Sequence, residues 1–293
     1  MIARDALMLD TRPELKSDPN LSTYNAPAVA EHYAALNYLT PCERLLFETY
    51  LRPGMAILDL GVGGGRTTPY LSSIAARYVG VDYAEEMIAR CREKFPHLAF
   101  EVSDAADLSR FSSESFESVV MAFNAMDYVI PDESRFHALR EIGRVLKPEG
   151  ILIFSSHNPR SIWVRRSWNP ERVRNLARTM VQGDSVFYQP LLRSLTVLRV
   201  CVAWLQAGLL SAGRAARRLG TRAFCTGQGY LHDPAHGGLR FHLTVPEKVA
   251  QELGGFGFRP LRVLGDDYPL ASRLYVTDWY YYVFSKIEAA REK

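Results

Sequence analysis

A glycine-rich segment, residues 57–68 with the sequence ILDLGVGGGRTT, contains the residue types that hold a nucleotide-like cofactor. Gly61, Gly63 and Gly65 stand two residues apart, between an apolar run and an amphipathic one. Glycine permits a tight turn there and lets a ligand lie directly against the backbone. Asp82 follows Gly61 by 21 residues, at the end of the next apolar run, where a carboxylate can accept hydrogen bonds from ribose hydroxyls. The pattern predicts a site for a cofactor that contains adenosine.

The spacing of the glycines bears on which cofactor is bound. Nicotinamide and flavin dinucleotides favour Gly-x-Gly-x-x-Gly, whereas the spacing here is Gly-x-Gly-x-Gly. Asp59 precedes the first glycine by two residues, and a carboxylate there would repel a pyrophosphate but attract an ammonium or a sulfonium group. A dinucleotide site and a structural turn without a ligand are the weaker alternatives.

His157 is the first candidate for a general base, because it follows an apolar run at the edge of the predicted sheet where ligands bind. Imidazole titrates near neutral pH, which suits proton transfer. A hydrogen bond to loop backbone is the alternative role for this residue. Asp127, which follows the fourth predicted strand, is a second catalytic candidate. His232 is a third, since it lies in GYLHDPAHGG, a segment that we expect to be a loop reaching the same edge.

Cysteine and histidine spacing argues against a metal site. The four cysteines form no C-x-x-C pair, which indicates reduced thiols of a cytosolic protein. The seven histidines show no metal-ligand spacing either, so we predict no bound metal. The first twenty residues lack the apolar stretch of a secretory signal, and we expect a cytoplasmic protein.

Short apolar runs alternate with amphipathic ones through the middle of the chain. This alternation, with strands that are apolar throughout, predicts a parallel sheet covered by helices on both faces. The predicted strands are residues 56–60, 78–82, 98–102, 118–123 and 151–156, and the predicted helices are residues 67–76, 85–94 and 133–146. Helices are also predicted within residues 24–51, with Pro41 opening the second of them. After residue 242 we predict a helix with a capping box at Thr244 and Glu247, then strands at residues 259–264 and 279–284.

Five segments resemble, in order and spacing, the successive motifs of class I S-adenosylmethionine-dependent methyltransferases: ILDLGVGGGRTT, GVDYAEEMI, SDAADL, FNAMDYV and LREIGRVLKPEGILIFSSHN. The resemblance covers residues 24–158 and, more weakly, residues 242–284. It implies an α/β fold, a doubly wound and mostly parallel seven-stranded sheet with N-terminal helices and a helical insertion after the fifth strand. The Pro, Asp and Ser content of the N-terminus predicts a flexible lead-in (residues 1–22). The resemblance divides the rest into a catalytic domain (residues 23–158 with 240–293) and an insertion (residues 159–239).

The same resemblance implies S-adenosyl-L-methionine as the cofactor and assigns roles to the matching positions. The glycine loop would border the methionine part, Asp59 would lie near its amino group, and Asp82 would hold the ribose. The full set of implied cofactor-binding residues is Tyr33, Asp59, Gly61, Val62, Gly63, Gly65, Asp82, Tyr83, Met87, Asp104, Ala105, Phe123 and Asn124. The extra Gly64 makes the loop barer than is usual in the family, and Ala84 stands where many relatives have Ser or Thr.

The insertion is strongly basic. Residues 159–222 hold twelve arginines, no lysine and two acidic residues. Three interpretations stay open: a helix that packs on the sheet domain or a twin subunit, an apolar and basic surface that contacts an anionic membrane through residues 160–222, or a phosphate-binding surface. No nucleic-acid-binding module is recognisable, so a nucleic-acid partner is the least favoured.

These observations predict an enzyme that transfers a methyl group to a small-molecule, saccharide or lipid-type acceptor, on oxygen rather than on nitrogen. The preference for oxygen rests on the available histidines, because a hydroxyl acceptor benefits from a base. The alternatives are an RNA or protein methyltransferase that uses the basic insertion, and a non-catalytic module that only binds the cofactor.

Overall fold

The computed structural model describes residues 19–158, 228–233, 239–266, 268–269, 277 and 279–288. Three helices come first: α1 (Pro19–Tyr24), α2 (Pro27–Ala35) and α3 (Pro41–Tyr50). The strands and helices of the sheet domain follow as β1 (Met55–Leu60), α4 (Thr68–Ile74), β2 (Ala75–Asp82), α5 (Glu85–Lys94), β3 (Ala99–Val102), β4 (Phe116–Met121), a 3-10 helix (Ala125–Tyr128), α6 (Asp132–Val145) and β5 (Leu146–His157). The C-terminal elements are β6 (Gln228–Asp233), β7 (Leu239–Thr244), α7 (Pro246–Gly255), β8 (Phe258–Gly265) and β9 (Trp279–Lys286).

Seven strands form one sheet in the order β3-β2-β1-β4-β5-β9-β8. The first five are parallel, and β9 is inserted antiparallel between β5 and β8. The carboxyl ends of β1, β2, β3, β4 and β5 therefore meet at one edge, where ligands bind in doubly wound folds. The predicted fold class, a mostly parallel seven-stranded sheet, is confirmed.

Both faces of the sheet are buried. On one face, strand residues such as Leu58 and Phe154 pack with α6 and α7. On the other face, Ile57 and Ile153 pack with α3, α4 and α5. Neighbouring residues of one strand, Ile57 and Leu58, thus enter different cores, as expected for a period of two residues. This explains why the strands are apolar throughout instead of alternating with polar residues.

Helix α3 begins as its sequence dictates. The hydroxyl of Thr40 accepts from the Glu43 backbone N–H at 3.1 Å, and the Glu43 carboxylate accepts from the Thr40 N–H at 2.9 Å. Pro41 occupies the first turn, as predicted. The capping box predicted at Thr244 is wrong, because Val245 is the N-cap of α7 and makes no side-chain cap bond.

Two further expectations need correction. The segment assigned to the flexible lead-in, residues 1–22, ends in α1, where the buried Asn20 side chain bonds both the N–H and the C=O of Arg240. The segment GYLHDPAHGG is not simply a loop, because its first five residues belong to β6, which pairs with β7 as an antiparallel hairpin. This hairpin is the described end of the insertion predicted to be largely helical, and residues 159–227 lie outside the described part. Among the described residues, no helix has the length and hydropathy needed to span a membrane.

Candidate active site

A cleft of about 140 Å³ opens at the carboxyl edge of the sheet. Its walls come from the loops after β1, β2, β3 and β4 and from α2. Ten of the thirteen predicted cofactor-binding residues line it: Tyr33, Gly61, Val62, Gly63, Asp82, Tyr83, Met87, Asp104, Ala105 and Phe123. The three that do not are Asp59, Gly65 and Asn124. Segments separated by tens of residues in sequence are therefore brought to one cavity.

The carboxylate of Asp82 is fixed at the wall of this cleft. One oxygen accepts from the Gly63 N–H at 2.9 Å and the other from the Ala84 N–H at 3.0 Å. Burial raises the pKa of Asp82, and the backbone N–H groups of Ala84, Gly63 and Tyr83 oppose that rise. A carboxylate held in this way retains lone pairs for the hydroxyl groups of a ligand.

Gly61 allows the glycine loop to lie close to the 3-10 helix. Its φ is +73°, and a Cβ placed on it would lie 2.6 Å from the Cβ of Ala125. A side chain at this position would push the loop away from the residues that follow β4. Gly65 is outside the lining, where Cys91 and Phe95 pack against it.

Asp59 does not line the cleft, and its expected place near a ligand amino group stays a prediction. Its carboxylate is turned beneath the loop, where one oxygen accepts from the Thr67 hydroxyl at 2.7 Å and from the Tyr78 hydroxyl at 2.8 Å. Burial raises the pKa of Asp59 to about 6, against the lowering effect of those two hydrogen bonds. The residue ties β1, β2 and the start of α4 together under the glycine loop.

Arg66 lines the cleft and was not predicted. Its guanidinium makes two bonds to the fully buried Glu43 carboxylate, at 2.5 and 2.6 Å, and donates to the Tyr38 carbonyl. It also lies over the rings of Phe123 and Tyr38, 4.9 and 5.2 Å from their centroids. The signal available in the sequence was an arginine directly after the glycines. Because Glu43 neutralises it, the arginine presents little net charge to a ligand.

Aromatic rings form one wall of the cleft. Tyr24 lies at their centre, with ring centroids 6.0 Å from Tyr33, 6.3 Å from Tyr83 and 5.8 Å from Tyr128. Burial, together with these neighbouring tyrosines, raises the pKa of Tyr24 well above its ordinary value, so the phenol stays neutral. The N-terminal helices thus supply an uncharged aromatic wall.

Asp127 and His157 meet beside this wall. Nδ1 of His157 is 2.7 Å from Oδ2 of Asp127, and the same oxygen accepts from the His157 backbone N–H at 2.7 Å. The other oxygen accepts from the Ser156 hydroxyl at 2.6 Å. The Asp127 side chain is only 2% exposed, whereas that of His157 is 28% exposed. Asp127 therefore orients the imidazole and does not itself face the cleft.

The imidazole also has aromatic neighbours. Its centroid lies 4.7 Å from the Phe241 ring and 6.3 Å from the Tyr128 ring, and Tyr128 lines the cleft. The third catalytic candidate, His232, pairs through its backbone with Arg240, the neighbour of Phe241. Its side chain lies outside the described part of the structure, as do all of residues 160–222, for which membrane, partner or phosphate contact was predicted.

Asn124 contacts the catalytic candidate instead of the cleft. Its Nδ2 atom is 3.3 Å from Nε2 of His157. Among the described residues, no group of three or more His, Cys, Asp or Glu side chains could hold a metal ion.

Comparisons with known proteins agree with this geometry. Residues 57–150 match the model of the methyltransferase domain family. Phosphatidylethanolamine N-methyltransferase of Cereibacter sphaeroides is 33% identical over 110 residues, which are 36% of this chain and 51% of that protein. Demethylmenaquinone methyltransferase of Clavibacter sepedonicus is 33% identical over 120 residues, 40% of this chain and 47% of that protein. The chain thus spans about half the length of the curated relatives it matches.

The fold is shared with a solved enzyme structure. The 1,6-didemethyltoxoflavin-N1-methyltransferase of Burkholderia thailandensis, crystallised with S-adenosylhomocysteine, has a TM-score of 0.53 at 15% identity and covers 92% of this chain and 86% of that one. At that identity the likeness concerns the fold alone. Together with the domain match, it confirms the recognition made from the motifs: residues 57–150 belong to a class I S-adenosylmethionine-dependent methyltransferase domain.

Proposed function

We propose that this protein transfers a methyl group from S-adenosylmethionine to a hydroxyl group of a small-molecule or lipid-type acceptor. The observation that carries the proposal is the convergence of the glycine loop, Asp82 and Asp104 on one cleft that lies beside an Asp127–His157 pair. Saccharide acceptors belong to the same proposal.

The residues of the cleft fit this cofactor. Asp82 would offer its fixed carboxylate to the ribose diol, and Asp104, which accepts from the Ala106 N–H at 2.8 Å, would accept from the adenine amine. Met87 and Tyr83 supply an apolar surface for a planar base. When bound, S-adenosylmethionine would supply an electrophilic methyl carbon. Transfer to the acceptor oxygen would break the carbon–sulfur bond and leave its electron pair on sulfur.

The Asp127–His157 pair supports oxygen as the acceptor atom. With Nδ1–H donated to Asp127, Nε2 of His157 is left with a lone pair. It can take the hydroxyl proton of the acceptor while the electron pair of that O–H bond stays on oxygen. A neutral amine would need no such base. One relative is named a phosphatidylethanolamine N-methyltransferase. Its name supports a lipid-type acceptor but indicates methylation of nitrogen in that protein.

The walls of the cleft support an acceptor with an apolar body. Besides the aromatic wall, Leu36, Val129 and Ile130 line the cavity. Arg66 is already paired with Glu43, so among the described lining residues it is poorly suited to recognise a carboxylate or phosphate.

The test is calorimetric binding of S-adenosylmethionine and S-adenosylhomocysteine to wild type, Asp82→Ala and Asp107→Ala. Loss of hydrogen bonds to a carboxylate should weaken binding to Asp82→Ala by about 10- to 100-fold. Asp107 is exposed and outside the cleft, so its variant is the matched control. Absence of binding to folded wild type would refute the proposed cofactor.

A methyl-transfer screen with labelled cofactor then separates the acceptors. Hydroxyl compounds, their amine counterparts and RNA are offered with and without anionic vesicles, at low and high salt. Product from hydroxyl compounds supports the proposal. Product only from RNA, with steep salt dependence, would favour the basic insertion as a polyanion-binding surface. Cofactor binding without any product would favour a non-catalytic module.

A further inference from the structure

Of the two amide atoms of the Asn124 side chain, only one makes a hydrogen bond within the described part of the structure. Nδ2 lies 3.3 Å from Nε2 of His157, a long hydrogen bond. Oδ1 is buried and has no hydrogen-bond partner among the described residues. A buried carbonyl oxygen without a donor carries a desolvation cost. The amide lies beside the His157 imidazole, whose Nε2 is a hydrogen-bond donor only when the ring is protonated.

The backbone holds this amide in place. Phe123 and Asn124 have φ values of +57° and +63°, and such left-handed conformations are unfavourable for most side chains but tolerated by Asn. The Asn124 N–H donates to the Ser155 hydroxyl at 2.7 Å, which anchors the strained loop to β5. Strain of this kind persists where the surrounding structure enforces it.

We propose that Asn124 is a positioning residue that stabilises the protonated form of His157. This inference rests on the proposed function, in which His157 takes the acceptor proton. In neutral His157, Nε2 accepts weakly from Nδ2, and an acceptor hydroxyl can displace that long bond. Once Nε2 carries the proton, a half-turn of the amide about its Cβ–Cγ bond puts Oδ1 where Nδ2 was, because the two atoms are nearly interchangeable in shape. The imidazolium then donates to Asp127 at Nδ1 and to Asn124 at Nε2.

The groups that face the imidazole are few in the described part of the chain. The 3-10 helix contributes Asp127 and Tyr128, and β7 contributes the uncharged Phe241. His242 and Arg135 lie beyond Asp127. Burial and, to a smaller extent, the positive charge of Arg135 lower the pKa of His242 to about 4, so His242 is neutral. On β9, the residue paired with His157 in the sheet register is Trp279.

The test is the pKa of His157, measured by NMR titration of its imidazole resonances, which are assigned by their loss in His157→Gln. Asn124→Gly removes the amide and adopts the same φ without strain. If Oδ1 stabilises the imidazolium, this variant lowers the pKa of His157 by about half a unit to one unit. A rise would mean that the amide only donates to the neutral ring, and no change would mean no coupling. Either result overturns the proposal.

Two further variants separate the amide from the loop. Asn124→Asp supplies two acceptor oxygens at the same place and should raise the pKa of His157 above that of wild type. Ser155→Ala removes the loop anchor but keeps the amide, and a shift as large as that of Asn124→Gly would mean that loop structure alone is responsible. The titration requires neither cofactor nor acceptor, so its outcome is independent of whether the proposed methyl transfer is found.

Discussion

At the scale of single residues, Asp127 is the group on which the candidate base depends. It is almost fully buried, yet three donors reach its two oxygens: the Ser156 hydroxyl and the backbone N–H and Nδ1 of His157. Charge-assisted bonds of this kind offset the cost of burying a carboxylate. They also fix the ring orientation of His157, and in the proposed reaction Nδ1 donates to Asp127 while Nε2 exchanges the proton.

Replacement of His157 by Ala should lower turnover by at least about 100-fold, the contribution expected of a positioned base. The affinity for S-adenosylhomocysteine should stay near wild type, because His157 is not among the residues proposed to hold the cofactor, such as Asp82 and Asp104. His97→Ala, at an exposed position, is the matched control. Initial rates at saturating substrates and calorimetric binding check the two statements. Turnover within about threefold of wild type would show that His157 is not the base.

The sequence predicted which residues are chemically competent but not the direction in which each side chain points. His157 was predicted from its place after a strand. Asp127 was predicted as a catalytic candidate, yet its carboxylate is buried and accepts a hydrogen bond from Ser156, 29 residues further along the chain. For Asp59 the sequence did not predict that the hydroxyls of Thr67 and Tyr78 donate to one oxygen of its carboxylate.

At the scale of elements, Gly64 explains how α2 closes over the glycine loop. A Cβ at this position would lie 2.3 Å from the Ala34 nitrogen and 2.4 Å from the Tyr33 carbonyl carbon, both backbone atoms. Lys94 reinforces the contact, because its ammonium donates to the carbonyls of Ala34 and Gly64 at 2.7 and 2.9 Å. The bare loop that departs from the family pattern is therefore the surface on which α2 rests.

Substitution Gly64→Ala should displace α2 and weaken S-adenosylhomocysteine binding by about tenfold or more, because overpacking against backbone costs on the order of 1–3 kcal/mol. Tyr33 would move with the helix and open the cleft. Gly254→Ala, where a Cβ meets nothing within 4 Å, is the matched control. Stopped-flow dissociation should show faster release from Gly64→Ala. Unchanged affinity and release would mean that α2 does not close the cleft.

The sheet elements were predictable because their patterns are strong and local. The five predicted strands of the central domain agree with the structure within a few residues, and Pro41 opens α3 as expected. The β6–β7 hairpin was missed because Gly and Pro in GYLHDPAHGG indicate a loop. The first half of this segment is a strand because it pairs with β7. Helix α1 was missed because its anchor, Asn20, bonds to a residue 220 positions away.

At the scale of the whole molecule, the strand order assembles the site. Because β1 lies between β2 and β4, and β5 is next to β4, the chain segments after these strands meet at one edge. This convergence leaves polar groups buried beneath the loops. One of them is Asp59, where burial raises the pKa and hydrogen bonds lower it. Global stability should therefore depend on the protonation of this carboxyl group.

Burial raises the folded-state pKa of Asp59 from 3.8 to about 6, so the folded protein binds the proton more tightly than the unfolded chain. The stability contributed by this group is greatest at low pH, falls as pH rises from about 4 to about 6, and stays low above that. The total change is on the order of 3 kcal/mol. Asp59→Asn cannot titrate, so its stability relative to wild type should improve between pH 4.5 and pH 8.

Urea unfolding of both proteins across this range measures the difference. Any pH-independent cost of the new amide, and the titration of every other group, cancels when the difference is compared between pH values. Asp107→Asn, which removes an exposed carboxylate, controls for the change in net charge. A wild-type-minus-variant difference that stays constant from pH 4.5 to pH 8 would mean that Asp59 titrates alike in the folded and unfolded chains. In that case the hydrogen bonds to the Asp59 carboxylate beneath the glycine loop would fully offset the effect of burial on its pKa.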